Sequence, residues 1–141
     1  MRVYFDASVI IAALLSPSGG SSVLLKFIKA GIIIGITSQT VLEEILEEDK
    51  PKKFKKSKKE IEHFIAESNL LIRKSISMEE IEPYLGMIET EDAHLIAGAN
   101  LTKCTYLVSL DKKDVLRPDV QKKFQPLKIV SPKDLIEKLV A

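Results

Sequence analysis

The chain has 141 residues, 45% of them hydrophobic, and its 21 basic and 20 acidic side chains leave a net charge of +1. That length suits a single domain, 1–141, with a core of its own, and so small a net charge excludes a global basic field that gathers nucleic acid. The lone Cys104 excludes an internal disulfide, while the lack of a signal-peptide pattern and of any apolar run near the roughly 20 residues of a membrane span leads us to expect a cytoplasmic protein without a membrane segment.

In chain order, Arg2 to Phe5 reads as a buried strand ending at Asp6. Ser8 to Leu15 is apolar nearly all round, which predicts a buried helix broken at Pro17 and Gly19-Gly20. Ser21 or Ser22 can cap a second helix through Ala30, with Gly31 ending it. The β-branched run Ile32 to Ile36 has strand length. Ser38 is placed to cap a helix carrying Val41, Leu42, Ile45 and Leu46 on its apolar face, which Pro51 closes. Ser57 opens a further helix with Ile61, Phe64 and Ile65 at core spacing.

Leu70 to Ile72 is a predicted third strand, followed by a short helix around Met78 to Ile81. Thr90 caps a predicted helix through Leu101, and Tyr106 to Leu110 forms the next strand. Cys104, beside that strand, reads as a small core residue. Ile129-Val130 is a short strand, and Ser131-Pro132 supplies a cap and a first-turn proline for the terminal helix. Strands alternating with helices predict a mostly parallel sheet covered on both faces, an α/β/α sandwich.

Four acids stand out against this pattern: Asp6, Glu44, Asp92 and Asp111. Asp6 and Asp111 follow strands, while Glu44 and Asp92 lie on predicted helices. A parallel sheet can bring all four to its carboxyl edge, where such folds put their sites. Each has a plainer explanation. Asp6 could cap a helix, Glu43 and Glu44 could face solvent, Asp92 with Glu91 could answer a helix dipole, and Asp111 could form a turn. Together they would repel, a pair at 4 Å by about 4 kcal/mol at an effective dielectric of 20, so a cation should sit between them. An all-oxygen site suits Mg²⁺ or Mn²⁺.

No other constellation competes. His63 and His94 lie on different helices without HxxxH spacing and read as polar-face residues. Ser8 and Ser109 could hydrogen-bond a carboxylate or a metal-bound water, or simply form local turns. Neither GxGxxG nor GxxxxGK[ST] occurs, so no nucleotide cofactor is expected. The acidic stretch Glu43, Glu44, Glu47, Glu48 and Asp49 is followed by Lys50, Lys52, Lys53, Lys55, Lys56, Lys58 and Lys59, either a solvated face or a phosphate-contacting one.

Four segments carry a family resemblance: Phe5 to Ser8, Thr37 to Leu46, Glu91 to Ala99 and Leu107 to Asp114. In order and spacing they resemble the PIN domain, and within it the toxins of toxin–antitoxin systems related to VapC. Pro51 to Phe54 and Val130 to Pro132 are similar to the same subgroup. The resemblance implies a Mg²⁺- or Mn²⁺-dependent ribonuclease with Asp6, Glu44, Asp92 and Asp111 as catalytic acids and metal ligands. Glu44 is preferred over Glu43 because its offset from Ser38 fits the family pattern. Ser8 and Ser109 would support the acids and Asp114 would be a fifth.

Single-stranded RNA cut to 5′-phosphate and 3′-hydroxyl ends, a cognate antitoxin and a homodimer through the first helices are further implications. Lys52, Lys53, Lys55, Lys56, Lys112 and Lys113 would contact RNA phosphates. Leu110 stands where many relatives have glycine, which leaves open how the turn before Asp111 is made. Two other readings stay open: a PIN-like module that binds RNA or protein without cutting, and a DNA flap nuclease, for whose clamping helices 141 residues leave little room.

Overall fold

In a computed structural model, residues 1–47 and 49–141 are described, so that Glu48 of the acidic stretch lies outside them. Among the described residues a five-stranded sheet has the order β3-β2-β1-β4-β5. Its strands are β1 (Arg2–Phe5), β2 (Ile34–Ser38), β3 (Leu71–Arg73), β4 (Tyr106–Val108) and β5 (Lys128–Val130). All pairings are parallel, with Val3 opposite Gly35 on one side and Tyr106 on the other. Val3, Tyr4 and Phe5 are wholly buried, as expected of a central strand covered on both faces.

The helices are α1 (Ala7–Leu15), α2 (Gly20–Lys29), α3 (Gln39–Ile45), α4 (Lys50–Phe54), α5 (Lys58–Glu67), α6 (Met78–Ile81), α7 (Ala93–Leu101), α8 (Pro118–Lys123) and α9 (Pro132–Val140). The connections through α1–α2 and α3–α5 step outward from β1 to β3, whereas the one through α6–α7 returns across the sheet to β4. Right-handed crossovers in opposite directions place their helices on opposite faces. The result is a three-layer α/β/α sandwich, with α7 packed on β1 and β4 and with α2 touching both α1 and α9. Among the described residues no single helix is long and apolar enough to cross a membrane.

Several boundaries differ from expectation, for local reasons. β2 starts at Ile34 rather than Ile32, because Gly31 turns left-handed (φ +76°) and Ile32 N–H still bonds Phe27 O as the chain leaves α2. The sheet ladder begins only where Ile34 N–H reaches Met1 O. Neither Ser21 nor Ser22 caps α2, whose N-cap is Gly19; Ser22 Oγ instead donates to Ala13 O and Ser16 O, tying the two helices together. Pro51 does not close α3 but sits in the first turn of α4, where its missing N–H costs nothing. Thr90 opens a 3-10 turn over Thr90–Asp92 instead of capping α7. β4 stops at Val108, because Leu110 N–H is taken by the Ser8 hydroxyl. The α8 helix is an element beyond those expected, and Pro118 and Asp119 are usual first-turn residues.

Candidate functional site

The strand order turns back between β1 and β4, and a crevice opens outside their carboxyl ends at such a switch point. Asp6 enters it directly from β1. It occupies the N-cap position of α1, yet its side chain caps nothing. Oδ2 instead accepts from Ser109 Oγ at 2.6 Å and from Ser8 Oγ at 3.0 Å. Burial pushes the Asp6 carboxyl above its ordinary range and the charge of Glu44 adds to the rise, against the two serine hydrogen bonds.

Each serine also receives a backbone N–H from the loop after β4. Leu110 N–H donates to Ser8 Oγ at 3.0 Å and Asp111 N–H to Ser109 Oγ at 3.1 Å. This arrangement answers the question raised by Leu110. The turn is held by hydroxyls, and Leu110 is not among the residues with left-handed backbone, so glycine is not required. Asp111 does form a turn, its Oδ1 accepting from Lys113 and Asp114 N–H at 3.1 and 3.0 Å, and Oδ2 is not used there.

Asp92 ends the 3-10 turn ahead of α7. Its carboxyl is pushed up to about 7, first by burial and then by the charges of Asp6, Asp111, Glu91 and Asp114. Glu91, Asp92 and Asp114 each bring an oxygen within 4.8 Å of the others. Among the described residues no lysine or arginine forms an ion pair with any of these acids.

Glu44 reaches inward from α3 while Glu43 is exposed. Its Oε1 accepts from Nε2 of His94, which overturns the expectation that His94 lies on a polar face. That histidine is only 6% exposed. The clue was present in the sequence: Ala93 to Ala99 are all buried, and so apolar a run leaves no polar face for a histidine to occupy. His63 is exposed, as expected. Glu91, expected to answer a helix dipole, also joins the cluster beside Asp92 and Asp114.

The predicted lysines divide. Lys112 and Lys113 are exposed on the turn that Asp111 organises, whereas Lys52, Lys53 and Lys55 are exposed on or just after α4. Lys56 lines an open groove of about 550 Å³ between α1, α2 and α5, together with Leu14, Leu25 and Phe64.

The family model of the PIN domain matches residues 2–113, from β1 to the turn after Asp111. The chain belongs to the PIN domain family. Among solved structures, this PIN domain is similar to VapBC2 from Rickettsia felis, crystallised with a DNA fragment from their promoter. The TM-score is 0.61 at 16% identity, over 93% of this chain and 98% of that one. At that identity the likeness is one of fold. No curated protein matches the chain.

The donor set of this PIN domain fits a hard divalent cation. It is all oxygen, no lysine or arginine among the described residues pairs with it, and the serines that fix Asp6 through Oδ2 do not use its other oxygen. Mg²⁺ and Mn²⁺ favour such oxygen-rich surroundings.

Proposed function

We propose that this chain, one domain over residues 1–141, is a Mg²⁺- or Mn²⁺-dependent endoribonuclease and the toxin of a toxin–antitoxin pair, acting in the cytoplasm. The observation that carries this reading is the gathering of carboxylates, unpaired with any lysine or arginine among the described residues, at the carboxyl edge between β1 and β4. Asp6, Glu44, Asp92 and Asp111 would hold the ion, with Asp114 and Glu91 beside them.

A bound divalent ion supplies a water of lowered pKa and neutralises charge on the scissile phosphate. Asp6 is fixed for its part by two hydroxyls, and Ser8 and Ser109 also hold the loop that presents Asp111. Asp92 must give up its proton to serve as a ligand, and the ion's charge favours that loss. Lys112 and Lys113, on the turn that Asp111 organises, would take phosphates of single-stranded RNA without reading its bases, and Lys52, Lys53, Lys55 and Lys56, on or just after α4, would contact phosphates apart from that turn.

The toxin reading is supported by the fold shared with VapBC2, and a cognate antitoxin would cover the acidic groove with a segment of its own. A homodimer through α1 and α2 completes the proposal. The test is cleavage of end-labelled single-stranded RNA with Mn²⁺ or Mg²⁺, against EDTA and an Asp6→Asn variant. Cutting that needs the metal and disappears in the variant is the expected result. A folded protein that binds Mn²⁺ yet leaves a broad panel of RNAs intact would overturn the nuclease reading.

A further inference from the structure

Glu44 is the acid of the site with the least obvious reason to stay there. Its side chain is flexible and 32% exposed, and the charge of Asp6 pushes on it. Free of other contacts, it would swing toward water. What holds it is His94, whose Nε2 meets Oε1 from a buried position on the second residue of α7. Among the described residues His94 Nδ1 is enclosed without a hydrogen-bond partner. A hydrogen there would be a buried donor with no acceptor, so the ring carries its hydrogen on Nε2 and donates it to Glu44.

Asp92 stands two residues earlier, at the N-cap of the same helix, so the start of α7 places both an acid and the group that restrains another. One turn further on, Gly98 lets the Tyr4 ring lie against α7, where a side-chain carbon would run into it. That close approach lets α7 pack tightly on β1.

We propose that His94 is a positioning residue: it holds Glu44 Oε1 so that the other carboxylate oxygen faces the ion site. This deepens the reading above and rests on it. Partners that orient a ligand in this way commonly change metal affinity by 10–100-fold when removed.

The test is calorimetric titration of the full chain with Mn²⁺, with unfolding in EDTA recorded for every variant. His94→Leu should weaken Mn²⁺ binding about 10–100-fold, and His94→Gln, whose amide can donate from a similar place, should recover most of the loss. In a Glu44→Gln background His94→Leu should add nothing, because the group through which it acts is already gone. If the leucine variant does not fold, His94→Asn, with an amide too short to reach Oε1, takes its place.

Wild-type affinity in His94→Leu, or losses that add in the double variant, would overturn the assignment while leaving the ion site intact. A wild-type chain that binds no Mn²⁺ would remove the ion site and this proposal with it.

Discussion

Ser109 Oγ donates a 2.6 Å hydrogen bond to Asp6 Oδ2 across 103 positions of sequence, and both groups are buried. It joins the ends of β1 and β4, the two strands that flank the switch point. Removing the hydroxyl leaves a buried carboxylate oxygen short of a donor and frees Asp111 N–H. Ser109→Ala should therefore lower stability by about 1–3 kcal/mol, read as a fall in the urea midpoint in EDTA. An unchanged midpoint would mean that water replaces the hydroxyl.

Asp92 is crowded by Asp6, Asp111, Glu91 and Asp114. In the absence of metal that crowding works against folding, whereas the proposed ion site would depend on it. Asp92→Asn should raise the melting temperature in EDTA at pH 8 while weakening Mn²⁺ binding and abolishing cleavage. A variant that melts lower than wild type in EDTA would show that the carboxylates are not in conflict.

The same residue sets a pH dependence. Its pKa in the folded chain, about 7, lies above the ordinary 3.8, so the folded state holds the proton more tightly than the unfolded one. The stability this contributes is full below the ordinary value and is lost as pH rises through 7. Metal-free wild type should thus lose stability relative to Asp92→Asn between pH 4 and pH 7. With Asp92 as a ligand, Mn²⁺ would have to displace that proton, so its apparent affinity should be about tenfold higher at pH 8 than at pH 6. Equal affinities at the two pH values would count against Asp92 as a ligand.

Gly98 tests the seating of α7. An alanine in a helix interior usually stabilises by about 0.5–1 kcal/mol relative to glycine. Here its methyl would collide with the Tyr4 ring, which is itself wholly buried in the central strand. Gly98→Ala should instead destabilise by about 1–3 kcal/mol, measured by chemical denaturation. A stabilised variant would show that Tyr4 has room to move.

What could be read from the sequence was what neighbouring residues encode. Buried strands appeared as unbroken apolar runs at Val3 to Phe5 and Tyr106 to Val108. Ser38, Ser57 and Ser131 cap the helices that follow them as expected. The alternation of these elements determined a parallel sheet between layers of helices, and with it the edge at which Asp6 and Asp111 emerge. Periodicity and capping act over a few residues, so they survive in one dimension.

Tertiary structure alone decided the pairings: Ser109 with Asp6, His94 with Glu44, and Asp114 with Glu91 and Asp92. It also shifted β2 by two residues, because every residue from Ile32 to Ile36 but Gly35 is β-branched and any of them suits a strand, while the exit from α2 chooses where pairing starts. Such contacts depend on how crossovers stack helices on the sheet, and no local pattern records which side chain a returning helix will meet.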